Sequence, residues 1–128
     1  MIKVLGAEDK MDNFELIQMI FDEASFECEL VQARTGREVL RLVEEAMPDL
    51  ILMDMVMPDM DGIEATRSLR KKYPKNQLPI IALTAQAMTG DRETVIDAGC
   101  NEYLSKPFAI NELIEKVRHY LNIGVTGD

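Results

Sequence analysis

The sequence predicts an α/β domain in which one parallel sheet is covered by helices on both faces. Three observations lead there. Short apolar runs of strand type alternate along the chain with longer stretches whose apolar residues recur every three and four positions. That alternation repeats five times, so consecutive strands are joined by helical crossovers and must run parallel. The most apolar run, Leu50-Ile51-Leu52-Met53, is closed by Asp54 and by a turn-forming segment with Pro58 and Gly62, as suits a central strand buried on both faces. With 128 residues the chain fits one such domain around a single core.

Taken in order, Ile2 to Ala7 reads as the first strand, and a helix follows from about Asp12 with Phe14, Ile17, Ile20, Phe21 and Ala24 at helical spacing. Cys28 to Ala33 is the second strand. Thr35-Gly36-Arg37-Glu38 has the form of a capping box and opens a helix carrying Val39, Leu40, Leu42, Val43 and Ala46, which Pro48 stops. The strand ending at Asp54 comes next, then a helix over Ile63 to Tyr73 ahead of Pro74. Pro79 introduces the strand Ile80 to Thr84. A weaker helix covers Asp91 to Ala98, with Gly99 as its stop, and Glu102 to Ser105 is a short fifth strand. Asn111 is the expected cap of a last amphipathic helix with Leu113, Ile114, Val117 and Leu121 inward. Residues 1–123 form the domain, and 124–128 read as a loose, flexible tail.

Composition excludes several classes. A formal charge of −9 opposes direct binding to nucleic acid, whose phosphates require a basic face. The one basic stretch, Arg67, Arg70, Lys71, Lys72 and Lys75, reads as the solvated face and last turn of a helix. The apolar runs are far too short to cross a bilayer and no signal-peptide core is evident, so a soluble, cytoplasmic protein is expected. Cys28 and Cys100 are distant, without metal-ligand spacing, and read as small packed thiols.

Parallel strands present their carboxyl ends on one side, where open α/β sheets keep their ligand sites. Those ends supply Glu8 and Asp9, then Asp54, Thr84 and Lys106. Each has a plain reading alone: an acidic pair at a helix start, a strand threonine, a surface lysine. Asp59 and Asp61 read as loop acids supporting the turn into Gly62. Together, three carboxylates at one edge repel unless a cation is present or a proton is retained. An all-oxygen cluster without His or Cys suits Mg²⁺. A lysine and a hydroxyl beside it complete what phosphoryl transfer to a carboxylate requires.

Glu8-Asp9, Leu50 to Gly62 with Met57-Pro58 and Asp61-Gly62, Leu83-Thr84-Ala85 and Lys106-Pro107-Phe108 follow one another in an order that resembles the receiver domain of two-component response regulators over essentially the whole chain. Ala87-Met88, Gly90-Asp91-Arg92-Glu93 and Ala98-Gly99-Cys100 are similar to receivers of hybrid sensor kinases and of stand-alone regulators. The resemblance implies a doubly wound, flavodoxin-like (βα)5 fold with strand order 2-1-3-4-5. It implies that Asp54 accepts a phosphoryl group from a phosphohistidine on a sensor histidine kinase or histidine phosphotransfer protein. Glu8, Asp9, Asp54 and the Val56 backbone carbonyl would hold Mg²⁺. Lys106 would pair with Asp54 and then with phosphoryl oxygens, across a cis bond to Pro107. Thr84 would turn to bond the phosphoryl group, Tyr103 would move into the vacated space, and the face of the fourth helix, fifth strand and fifth helix would change for a downstream protein effector. Such a protein is a monomer or a weak, phosphorylation-dependent dimer. It turns over only its own Asp54 and is not an enzyme in the usual sense.

Three features depart from the family pattern. Gly6-Ala7 precede the acids where bulkier residues are common, Lys10 follows them where a small polar or acidic residue is usual, and Val56 offers no polar group to an attacking water. Lys10 is expected to weaken Mg²⁺ binding and Val56 to slow self-dephosphorylation. The main rival is an aspartyl phosphatase or phosphotransferase similar to the haloacid dehalogenases. Those carry Asp-x-Asp after the first strand, whereas Asp54 closes the third and is followed at the second place by Val56. A binding-only receiver would have lost Asp54 or Lys106, and flavin binding would need a phosphate-cradling loop after the first strand. His119, the only histidine, reads as a surface residue, and Met1 just before the first strand favours a free-standing regulator.

Overall fold

The computed structural model describes residues 2–84, 91–107 and 109–122. Its elements are β1 (Ile2–Ala7), α1 (Met11–Glu23), β2 (Cys28–Ala33), α2 (Gly36–Glu45), β3 (Leu50–Asp54), α3 (Gly62–Arg70), β4 (Ile80–Thr84), α4 (Asp91–Ala98), β5 (Glu102–Ser105) and α5 (Ile110–Leu121). The sheet runs β2-β1-β3-β4-β5 with all pairs parallel, the order expected of the doubly wound class. Every residue of β3 and β4 is buried, which explains why their sequences read as unbroken apolar runs.

Alternation along the strands divides the core into two layers. Leu5, Ile51, Met53, Ile80 and Ala82 face Val39 and Val43 of α2, Ala65 and Leu69 of α3, and Val95 of α4. Val4, Leu50, Leu52, Ile81 and Leu83 face Ile17, Ile20 and Phe21 of α1 and Leu113, Val117 and Leu121 of α5. No helix among the described residues is long and apolar enough to cross a membrane. Both cysteines are free, Cys28 half-buried and Cys100 buried.

Three local expectations need correction. Helix α3 ends at Arg70, not Tyr73: the N–H groups of Lys71 and Lys72 turn back to Ser68 and Leu69, and the chain leaves the helix. Arg70 is not part of the solvated basic face. It is half-buried, donating from Nε to the Gly99 carbonyl at 2.7 Å and from one terminal nitrogen to the carbonyls of Leu78 at 2.8 Å and Tyr73 at 3.1 Å. Helix α5 takes Ala109, not Asn111, as N-cap and has no side-chain cap. The α2 start is as read, with Thr35 Oγ1 accepting from the Glu38 N–H at 3.0 Å, though Glu38 returns its bond to the N–H of Arg34. Gly99, at φ +119, ends α4 in a conformation that disfavours a side chain. The readings on Ala85, Ala87-Met88, Gly90, Phe108 and the 124–128 tail lie outside the described residues.

Candidate functional site

The sheet order explains how distant residues meet. β1 lies between β2 and β3, so Glu8, just past β1, is held by the neighbouring strand: its N–H donates to the Ala33 carbonyl at 2.9 Å, and Gln32 Nε2 donates to its carbonyl at 2.9 Å. The Glu8 side chain is fully buried, with Oε1 accepting from Lys106 Nζ at 2.8 Å and Oε2 from the Lys10 N–H at 3.1 Å. Asp54 ends the central strand and is 6% exposed. Its Oδ2 accepts from the same Lys106 Nζ at 2.9 Å and its Oδ1 from the Val56 N–H at 3.0 Å. Lys106 reaches both acids because its own N–H donates to the Thr84 carbonyl at 2.6 Å, carrying the β4–β5 pairing one residue further. The bond from Lys106 to Pro107 is cis, as the resemblance implied.

Asp9 is half-buried, and one carboxylate oxygen from each of Glu8, Asp9 and Asp54 lies within 4.8 Å of the others. One ammonium cannot neutralise three carboxylates at that range. Burial pushes the Glu8 carboxyl above the usual range, and the nearby Asp54 charge adds to this, against the lowering effect of the Lys106 and Lys10 bonds. For Lys106, burial lowers the ammonium's pKa, but its bonds to Glu8 and Asp54 outweigh it and leave the group above its ordinary value. The donor set is oxygen only, clustered and short of positive charge, which fits a hard divalent cation such as Mg²⁺.

The structure thus brings Glu8, Asp9, Asp54 and Lys106 together. Thr84, buried at the end of β4, sits one strand over, its predecessor Leu83 in register with Asp54. Tyr103 is half-buried, packed against the core layer that α2, α3 and α4 cover, and lines a groove of about 300 Å³ with Arg92, Ile96, Glu112 and Lys116. Val56 is 72% exposed, so its side chain stands at the rim. Lys10 is exposed, and the contact it makes with the acids is through its backbone. Asp61 caps α3 by accepting from the Glu64 N–H at 2.9 Å, while Asp59 pairs with Arg37 at 3.0 Å. Two features escaped the sequence: Glu8 and Asp54 share Lys106, and Gln32 holds the Glu8 backbone. Only the β2–β1 adjacency would have revealed the second.

The model of the response regulator receiver domain family matches residues 4–118. The chain belongs to that family. It is similar to the polar-differentiation response regulator DivK of Brucella ovis, with 37% identity over 118 residues, 92% of this chain and 94% of DivK. Among solved structures, it is similar to the receiver of sensor histidine kinase PA1611 from Pseudomonas aeruginosa, which holds a magnesium ion in its active-site cleft. That match has 35% identity and a TM-score of 0.83, covering 94% of this chain and 98% of the other. The Saccharomyces cerevisiae Ssk1 receiver, solved with the histidine phosphotransfer protein Ypd1, is 27% identical with a TM-score of 0.82, covering 99% of this chain and 94% of that one. The receiver is therefore a two-component signalling domain rather than a conventional enzyme.

Proposed function

We propose that this receiver is a phosphorylation switch in which Asp54 accepts a phosphoryl group from a phosphohistidine. The observation that carries this is the sharing of one lysine by Glu8 and Asp54, with Asp9 beside them. A carboxylate oxygen of Asp54 forms a bond to phosphorus, the P–N bond to imidazole breaks, and its electron pair leaves with the imidazole. Lys106 Nζ, already 2.9 Å from Asp54, moves its hydrogen bonds onto the new phosphoryl oxygens. Glu8, Asp9, Asp54 and the Val56 carbonyl would hold Mg²⁺, which when bound supplies positive charge to the phosphoryl oxygens. Thr84 is the residue to bond the phosphoryl group as the switch forms, with Tyr103 filling the space behind it and the α4-β5-α5 face altered as a result.

The phosphodonor is a sensor histidine kinase or a histidine phosphotransfer protein, in keeping with the Ypd1 complex of the Ssk1 receiver. The output is a downstream protein effector, the setting is the cytoplasm, and the chain acts as a monomer or a weak phosphorylation-dependent dimer. Incubation with Mg²⁺ and acetyl phosphate, followed by intact-mass measurement, tests the reading. A single phosphoryl adduct is expected, lost in Asp54→Asn and without Mg²⁺; an adduct that survives in Asp54→Asn would overturn it. Because Val56 has no polar group to orient water, the acyl phosphate is long-lived, and Val56→Asn should shorten its half-life several-fold in a decay assay.

A further inference from the structure

Gly36 opens α2, and its N–H is one of those that a helix start leaves without an intrahelical acceptor. It donates to the Met60 carbonyl at 2.7 Å, across to the segment joining β3 to α3. The approach leaves no room for a side chain: a Cβ at Gly36 would stand 2.5 Å from the Met60 carbonyl oxygen, 2.7 Å from Met60 Cγ and 3.0 Å from the Asp61 carbonyl oxygen. Among the described residues only Gly99 is a glycine with positive φ, so Gly36 is needed for space and not for a special dihedral.

Both sides of this contact are firm. The capping box fixes the start of α2, and Val39 and Val43 anchor the helix in the core. Opposite, Met55 and Met57 are each 7% exposed, the Met55 N–H donates to the Leu83 carbonyl, and the Gly62 N–H donates to the Met55 carbonyl. A close-packed segment pinned at both ends has little slack to absorb a push at Met60. Four residues before Met60 is Val56, whose N–H holds Asp54 Oδ1 at 3.0 Å.

We propose that Gly36 is a positioning residue for the phosphoacceptor site: by letting the start of α2 touch Met60, it sets the path of residues 55–61 and so the aim of the Val56 backbone at Asp54. The inference rests on the Mg²⁺-dependent reading above. It acts through the backbone, so no side chain of α2 enters the site.

The test uses the full chain and Mg²⁺ alone, without phosphodonor. Gly36→Ala is compared with Val43→Ala, which removes core packing about two turns further along the same helix. Calorimetric titration is expected to show Mg²⁺ binding weakened about tenfold in Gly36→Ala, as for other residues that orient metal ligands, and unchanged in Val43→Ala although that variant melts lower. The Val56 amide resonance should move in Gly36→Ala only. In the unmodified protein the Gly36 amide resonance should shift on adding Mg²⁺ with the same midpoint as Val56, a measurement that stands even if Gly36→Ala fails to fold. Unchanged affinity in Gly36→Ala, equal weakening in Val43→Ala, or a silent Gly36 amide each overturns the inference while the phosphoacceptor reading survives. If the unmodified protein binds no Mg²⁺, both fall together.

Discussion

The two edges of the sheet each hold a partly buried cation, and they use it differently. At the amino edge Arg70 faces neutral acceptors, the carbonyls of Gly99, Leu78 and Tyr73 and the Asn101 Oδ1 at 2.9 Å. Asn101 Oδ1 also accepts from the Ile80 N–H at 2.9 Å, so this one node fixes the entries to β4 and β5. Nearby, Glu102 is matched by Lys116 at 3.1 Å and by the Tyr120 hydroxyl at 2.9 Å. At the carboxyl edge Lys106 serves two carboxylates, with a third in reach. The first edge is satisfied and closed. The second is left short of positive charge, which is what a site for a cation and a phosphoryl group requires. Charge deficit, more than burial, separates function from structure in this molecule.

Exchanging the two cations for neutral side chains should separate the edges most sharply. Lys106→Met is expected to cut the rate of adduct formation from acetyl phosphate by about a hundredfold or more, since it removes a donor aimed at the developing charge. The same change should make the melting temperature more dependent on Mg²⁺ than in the unmodified protein, because the clustered carboxylates then lose the ammonium that Glu8 and Asp54 share. An adduct rate equal to that of the parent would remove Lys106 from the chemistry. Arg70→Ala should instead cost about 3 kcal/mol of stability in denaturant unfolding, by stranding several carbonyls. It should leave Mg²⁺ affinity unchanged; a loss of affinity would mean that the edges are coupled.

Tyr120→Phe probes the closed edge more gently. Burial and the bond to Glu102 push the Tyr120 phenol up to about 12 from an ordinary 10.0. A proton held more tightly by the fold than by the unfolded chain stabilises the fold below the unfolded value, and that stability is lost as pH rises from about 10 towards 12. Tyr120→Phe should therefore lose about 1 kcal/mol at neutral pH, where the hydrogen bond is present, and show a shallower loss over that alkaline window. Parallel stability curves for the two proteins across that window would contradict the assignment.

How much of this was legible in the sequence depended on the range of the forces involved. β3 and β4 were bounded correctly because burial on both faces writes itself as a continuous apolar run. Thr35 and Gly99 were found because capping chemistry is local. The end of α3 was missed because Arg70 takes acceptors up to 31 residues away, at Leu78, Gly99 and Asn101. In the site, the strand-end rule collected Glu8, Asp9, Asp54, Thr84 and Lys106. It could not tell that Glu8 and Lys106, 98 residues apart, bond directly, nor that Gly36 touches Met60, because both depend on distances across the finished sheet.

Helix starts carry the same contrast in its mildest form. α2 and α3 are capped by Thr35 and Asp61, whereas α1 and α5, which begin just after Glu8-Asp9 and after Lys106-Pro107, have Lys10 and Ala109 at the N-cap and no side-chain bond. The Ala109 backbone is already extended at φ −72 and ψ 131, as an N-cap requires, so a serine there can accept from the first turn without rearrangement. Ala109 is exposed, which puts the expected gain at the low end of such substitutions, about 0.5 kcal/mol in denaturant unfolding. Because the added hydroxyl serves the α5 backbone and brings no charge to Lys106, Mg²⁺ affinity and adduct formation should not change. A serine that stabilised the fold and also slowed phosphorylation would mean that the bare start of α5 is itself part of the reactive edge.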